Sequence, residues 1–344
     1  MKYVRNEYIE RLAQKTAHTL AFSNECDFSL WKKEVRKKLN ELLGMSSFEE
    51  NVCPLNVQIE KEVQKDDYKE LHLTFESEVG AFVPCYLLIP NKKVGKLPVC
   101  ILLQGHCKEG AISSIGEYYD GNDTKNVEYV KDRGDFAVQA VKHGYIALAL
   151  EQRGMGSRTS KKSGWMCNFE SCAALLFGRT ILGGRVWDIS RAIDVLAQFP
   201  QVDMDKIIVA GTSGGGSATY YAACYDQRIK LAVPNCGFSA FDDSILYRQH
   251  CFCNYSPSMY NWFDMQDVAC LIAPRTLVII AGEEDDTFLI EGVQKGFKTV
   301  QEIYKQASCT QNCKLVITPK GHYWCKDIVW DSVNKAVQEM GWRI

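Results

Sequence analysis

The sequence predicts an α/β protein: a mostly parallel, doubly wound sheet with antiparallel N-terminal strands and a helical N-terminal extension. Three observations carry this. From Pro98 onward, short continuous apolar runs alternate with helical patterns, as buried parallel strands alternate with their crossovers. Upstream, three runs of alternating character (Val57 to Val63, Leu71 to Glu76, Val83 to Ile89) read as an antiparallel lead-in. Before about residue 50, apolar residues recur at helical rather than strand spacing.

Taken in order, the N-terminal segment places Trp31, Val35, Leu39 and Leu42 on one face, with Lys and Glu between them, the pattern of a packing stripe. PVCILL (Pro98 to Leu103) and YIALAL (Tyr145 to Leu150) are of strand length and lack internal polar residues. A helix from about Gly184 aligns Val186, Ile189, Ile193 and Leu196, and Pro200 follows its last turn. Three more strand-length runs follow: Ile207 to Ala210, Arg275 to Ala281 and Lys314 to Thr318. This divides the chain into a helical extension, residues 1–50, and one domain, residues 51–344. Two segments, near 158–180 and 238–265, break the strand–helix rhythm. They carry Trp165, Phe169 and Phe177 in the first, and Phe241, Tyr247, Phe252, Tyr255, Tyr260, Trp262 and Phe263 in the second. Each follows the C-terminal end of a parallel strand, where such sheets bind ligands, so they are expected either to shape a pocket or to pack a cap or subunit contact.

The chemistry is concentrated at strand ends. Gly211-Thr212-Ser213-Gly214-Gly215 fits G-x-S-x-G between a strand and a small-residue helix. A serine on so tight a turn needs glycine-sized neighbours, and the turn lifts Oγ clear of the sheet as a candidate nucleophile. A serine hydroxyl becomes nucleophilic only when a base takes its proton and a carboxylate orients that base. The base candidate is His322, one of six histidines, in Lys320-Gly321-His322 after the last strand. The acid candidates follow Gly282: G-x-x-D spacing favours Asp285, with Asp286 or Glu284 as alternatives. An oxyanion hole is expected from the backbone N–H of Gly214, at a helix start, and of His106, in Gln104-Gly105-His106. The His106 ring then lines the pocket or supports it. Glu151-Gln152-Arg153-Gly154-Met155-Gly156-Ser157 forms a further strand-end loop whose Arg-Gly pair is expected to brace the site.

Composition narrows the alternatives. The 344 residues are 46% hydrophobic with formal net charge −2, and no basic run is interleaved with aromatics, so nucleic acid is not an expected partner. No apolar stretch approaches a membrane span, and MKYVRNEYIERLAQK lacks the apolar core of a secretory signal. Fifteen cysteines without regular spacing point to free thiols in a reducing cytoplasm. Cys251-Phe252-Cys253 beside His250, and Cys309 with Cys313, are the dense thiol groups, and neither has the paired C-x-x-C spacing of zinc knuckles. No phosphate-cradling glycine motif is present, so neither metal nor cofactor is expected. Self-association stays open.

Together, QGH, EQRGMGSR, GRVWDISRAIDVLA, GTSGGGSATYYAA, DDSILYRQHCFCNYSP, IAPRTLVIIAGEEDD and KGHYW resemble the α/β-hydrolases of the acetyl xylan esterase and dienelactone-hydrolase-like group, over roughly residues 55 to 340. The resemblance implies the α/β-hydrolase fold and a carboxylic-ester hydrolase working through an acyl-enzyme, with small or carbohydrate esters as substrates. It implies Ser213 as nucleophile, His322 as base and Asp285 as acid, with the amides of His106 and Gly214 as oxyanion donors. Gln104 stands where the group usually has His, and Asp286 where many relatives have Pro. Serine rather than cysteine at the elbow argues against the dienelactone reaction. An amidase or peptidase on the same scaffold, a non-catalytic ligand-binding relative, and a thiol-based redox or metal protein are the competing readings.

Overall fold

The computed structural model describes residues 7–91, 95–117, 134–160, 167–246 and 248–344. Its centre is a nine-stranded sheet: β1 (Gln58–Gln64), β2 (Tyr68–Glu78), β3 (Ala81–Pro90), β4 (Leu97–Leu103), β5 (Ile146–Leu150), β6 (Val202–Thr212), β7 (Ile229–Asn235), β8 (Thr276–Gly282) and β9 (Cys313–Thr318), in the spatial order β1-β2-β3-β5-β4-β6-β7-β8-β9. β1, β2, β3 and β5 pair antiparallel, and every pairing from β5 through β4 to β9 is parallel. This is the α/β-hydrolase architecture expected from the sequence.

The apolar runs form strands because both faces of the sheet are covered. Val99, Ile101 and Leu103 of β4, Ile207 and Val209 of β6, and Leu277 and Ile279 of β8 point into one core. Their neighbours Cys100, Leu102, Ile208, Ala210, Val278 and Ile280 point into the other, the two-residue alternation of a pleated strand. The first core is covered by α2 (Phe28–Leu43), α3 (Met45–Glu49), α6 (Ile181–Leu196), α7 (Gly214–Tyr225) and α8 (Ile290–Gln306). The second is covered by α4 (Phe136–Lys142) and α9 (Lys326–Glu339). On that side Gln139 Oε1 accepts from both Trp324 Nε1 (3.1 Å) and Trp330 Nε1 (2.8 Å), so neither indole is left unpaired. β1, at the sheet edge, is almost wholly exposed and reads QIEKEVQ, charged as unpaired edges usually are.

The N-terminal segment is not continuously helical. α1 (Glu7–Lys15) and α2 are separated by an irregular stretch, and Asp27 caps α2 by accepting from Leu30 N at 3.0 Å. The buried stripe of α2 is Trp31, Val35, Leu39 and Leu43; the expected Leu42 is only partly buried, because a strict four-residue step keeps Leu43 over the core. Gly44 ends the helix at φ 75°. The irregular stretch docks on the second insertion: Leu20 N donates to Trp262 O (2.6 Å) and Phe22 N to Asp267 Oδ1 (2.9 Å).

α6 begins at Ile181, earlier than the apolar pattern indicates, and its polar side is buried as well. Asp188, with no solvent exposure, accepts from Arg153 (2.8 and 2.9 Å), Arg158 (2.6 Å) and Ser77 Oγ (2.7 Å). Glu78 takes Arg153 at 2.6 Å and Arg179 at 2.8 Å. Burial opposes ionisation of Asp188, but the adjacent Arg153 and Arg158 charges outweigh it and hold the carboxyl at about 2. This cluster ties the loop after β5 to α6 and β2. Replacing Asp188 by Ala leaves buried guanidinium groups without their partner and should cost about 3–5 kcal/mol of unfolding free energy, measured in urea.

Glu151, at the end of β5, is buried beneath Gly110 and Gly156, where an added Cβ would come within 2.2 and 2.4 Å of its oxygens. It accepts from Ala111 N (3.2 Å) and Gln104 Nε2 (3.3 Å), while burial raises its pKa from 4.5 to about 7. A carboxyl with a raised folded pKa binds more protons in the native state. Its contribution therefore turns unfavourable as pH climbs from the unfolded value through about 7. Glu151→Gln should raise stability relative to wild type at pH 8 but not at pH 4, by up to about 3 kcal/mol between the two, read from paired denaturation curves.

Candidate functional site

The site lies at the C-terminal edge of the parallel strands. β6 runs into α7 through Ser213, whose backbone sits at φ 56°, ψ −122°, a region non-glycine residues rarely occupy. Such strain costs about 1–3 kcal/mol and persists only when surroundings over-determine it. Here Ser213 N donates to Asn235 O (2.9 Å) and Ser217 N to Ser213 O (2.9 Å). The glycines act by close approach. A Cβ on Gly215 would lie 2.2 Å from Leu103 O, and one on Gly211 would lie 2.6 Å from Gly215 O. The turn is therefore pressed directly against the end of β4, as its sequence requires.

β8 and β9 end in loops that are equally close. A Cβ on Gly282 would meet Gly321 O at 2.1 Å, and Glu284 N donates to Lys320 O (3.3 Å). That approach brings the candidate acid and base together: His322 Nδ1 lies 2.9 Å from Asp285 Oδ2 and 3.1 Å from Oδ1. Asp285 Oδ1 also accepts from Thr287 N (2.8 Å) and Phe288 N (3.0 Å). Burial alone would raise the Asp285 pKa, but the His322 contact and the two amides lower it below the ordinary value. Asp286 and Glu284 are exposed, and Asp286 accepts from the neighbouring Thr287 hydroxyl (3.2 Å). Phe288 stacks on the His322 ring, with centroids 6.1 Å apart at 10°.

Asn235, which the sequence reading did not single out, joins the two halves. Its carbonyl takes the Ser213 amide, and its Nδ2 donates to Thr212 Oγ1 (2.9 Å) and to Tyr323 O (3.1 Å), next to His322. The signal available in the sequence was one polar residue closing an apolar strand. Ser213 is thus set at the same edge as the Asp285–His322 pair. Among the described residues its hydroxyl makes no hydrogen bond to the His322 ring; such contacts commonly tighten only when substrate is bound.

Among the described residues, neither the Gly214 nor the His106 amide donates a hydrogen bond, which leaves both available beside Ser213. The Gln104 side chain is buried and turned toward Glu151, so the position that departs from the usual His serves the loop's support rather than its edge. The His106 ring packs on Gly214, where an added Cβ would come within 2.7 Å of its Cε1. Cys251 and Cys253 face this ring rather than His250, whose Nε2 lies 2.8 Å from Ser244 Oγ and 3.1 Å from Thr287 O. Arg153 braces the loop after β5 through Asp188 and Glu78.

The aromatics of the insertions divide. Phe241 and Phe263 are buried in the core, whereas Phe169, Phe177, Phe252 and Tyr255 are exposed; Trp165 and Tyr247 lie outside the described residues. Among the described residues, no helix is long and apolar enough to cross a membrane.

Residues 3–320 match the Abhydrolase family. The chain is 27% identical over 300 residues to the provisionally assigned hydrolase YtaP of Bacillus subtilis (strain 168), covering 85% of this chain and 94% of that protein. Its fold is similar to that of a provisionally assigned acetyl xylan esterase from Bacteroides fragilis (TM-score 0.76, 17% identity, 97% of this chain and 95% of the other). A glucuronoyl esterase from Solibacter usitatus is also similar (TM-score 0.67, 14% identity, 94% and 98%). With residues 3–320 matched and a strained serine turn set beside an Asp–His pair at the sheet's edge, the chain belongs to the Abhydrolase family of α/β-hydrolases.

Proposed function

We propose that this protein is a serine carboxylic-ester hydrolase that works through an acyl-enzyme and removes short acyl groups from small or carbohydrate esters. The observation that carries the reading is the contact between buried Asp285 and half-buried His322 at the sheet edge that also holds the strained Ser213. The esterases among similar folds, named for acetyl xylan and glucuronoyl substrates, support the ester class.

The chemistry follows from the groups present. His322 accepts the Ser213 Oγ proton through its second ring nitrogen as Oγ attacks the ester carbonyl. Asp285, ionised and acceptor to the Nδ1 side, fixes the tautomer and stabilises the imidazolium. The amides of His106 and Gly214 receive the oxyanion. His322 then protonates the departing alcohol; water repeats the sequence and releases the acid, restoring Ser213.

Ser213→Ala should lower p-nitrophenyl acetate hydrolysis by at least about 10³-fold with unchanged circular dichroism. Full activity in that variant would overturn the mechanism. Asp285→Asn should lower kcat by about 10⁴-fold, whereas Asp286→Asn should leave it nearly unchanged; the reverse result would reassign the acid. Comparing acetylated sugars, longer acyl esters, methyl uronate esters and anilides under identical conditions tests the substrate class. Faster turnover of anilides than of any ester would favour an amidase.

A further inference from the structure

Behind the oxyanion loop, three cysteines from both insertions converge on one histidine. His106 Nε2 lies 3.2 Å from Cys167 Sγ and 3.6 Å from Cys253 Sγ. One donor atom from each of these three residues lies within 4.8 Å of the others. Cys251 Sγ lies at the ring's other nitrogen, 3.5 Å from Nδ1, and is not one of those three donors. Cys167 and Cys253 are buried and Cys251 is half-buried.

We propose that His106, through Nε2, Cys167 and Cys253 form a zinc site that pins both insertions to the oxyanion loop. Zinc takes thiolate and imidazole donors tetrahedrally, with Zn–S of about 2.3 Å and Zn–N of about 2.0–2.1 Å, which sets sulfur and nitrogen about 3.6 Å apart. The observed 3.2 and 3.6 Å separations match that spacing. Soft thiolate donors without a carboxylate favour zinc over magnesium, calcium or manganese.

Charge gives an independent argument. Arg185 is wholly buried beside this cluster, and its Nε and Nη2 are spent on Arg153 O (3.0 and 2.9 Å). Among the described residues its Nη1 meets no oxygen or nitrogen acceptor, and the Cys253 thiol is its polar neighbour. A buried cation needs a compensating anion. Zinc binding would leave Cys167 and Cys253 as thiolates beside this guanidinium, with their protons released to solvent. Three protein donors from three chain segments hold the ion, and Cys251 or a water would complete its tetrahedron.

The consequence is positional. Cys167 precedes α5 (Asn168–Leu175), Cys251 and Cys253 lie in the second insertion, and His106 sits on the strand-end loop whose ring packs on Gly214. One ion would hold three chain segments against the turn that carries Ser213.

The test is metal content. The full chain, expressed with zinc and purified under reducing conditions, should carry about one zinc per chain by mass spectrometry of metals. Cys167→Ser and Cys253→Ser should lose most of it. Cobalt substitution of the wild type should give the intense visible absorption of a tetrahedral thiolate site. Should the serine variants fail to fold, metal content and the cobalt spectrum of the wild type still decide. A metal-free wild type, whether its thiols titrate freely or intact mass shows a disulfide among Cys167, Cys251 and Cys253, overturns the proposal. So does zinc retained in both variants. None of these readouts depends on esterase activity, so the site stands or falls apart from the Ser213 mechanism.

Discussion

The direct approach of the β6–α7 turn to the end of β4 is the constraint on which the rest of the molecule depends. Gly211 and Gly215 leave no room for a side chain between the turn and Leu103 O, and that closeness holds Ser213 in its left-handed conformation. Strain of this kind is sustained by neighbours rather than by the residue itself. The strand order β5-β4-β6-β7-β8-β9 supplies those neighbours. It puts β4, with the His106 loop, on one side of β6, and β7, with Asn235, on the other. β8 and β9, with Asp285 and His322, follow within the same edge.

Around this edge the loops are held by buried polar groups more than by apolar contact. Asp188 and Glu78 anchor three arginines from the loop after β5 and from the first insertion. Glu151 supports the segment after β4 through Ala111 and Gln104. The irregular N-terminal stretch docks on the second insertion at Trp262 and Asp267. The proposed zinc site would add a cross-link among the same segments. A protein that carries its chemistry on loops needs such fixings, because small displacements of positioning groups weaken catalysis steeply.

The strands were legible because the sheet is covered on both faces: a continuous apolar run of six or seven residues has no other stable environment in such a fold. The Ser213 turn was legible because its backbone geometry admits only glycine at specific offsets. Legibility failed where a third element intervenes. The α2 stripe runs through Leu43 rather than Leu42 because the core it meets is set by the elements packed against it, Asp267–Leu271, α3, α6 and α7. The polar side of α6 is covered by arginines from the loop after β5, which the helix's own spacing does not encode. Cys251 and Cys253 adjoin His250 in sequence but face His106, 145 and 147 residues away.

The sequence by itself determined the order of strands and helices, the residue types at each strand end and the strained turn at Ser213. All of these follow from local rules: period, length and the steric demands of glycine. Only the tertiary structure decided which carboxylate meets His322, since Asp285 and Asp286 differ by the direction in which the backbone after Gly282 turns. It alone united Asn235 with both halves of the site and gathered three cysteines around His106. Those contacts join residues tens to more than a hundred positions apart, and no local periodicity encodes a distance that only the packed sheet creates.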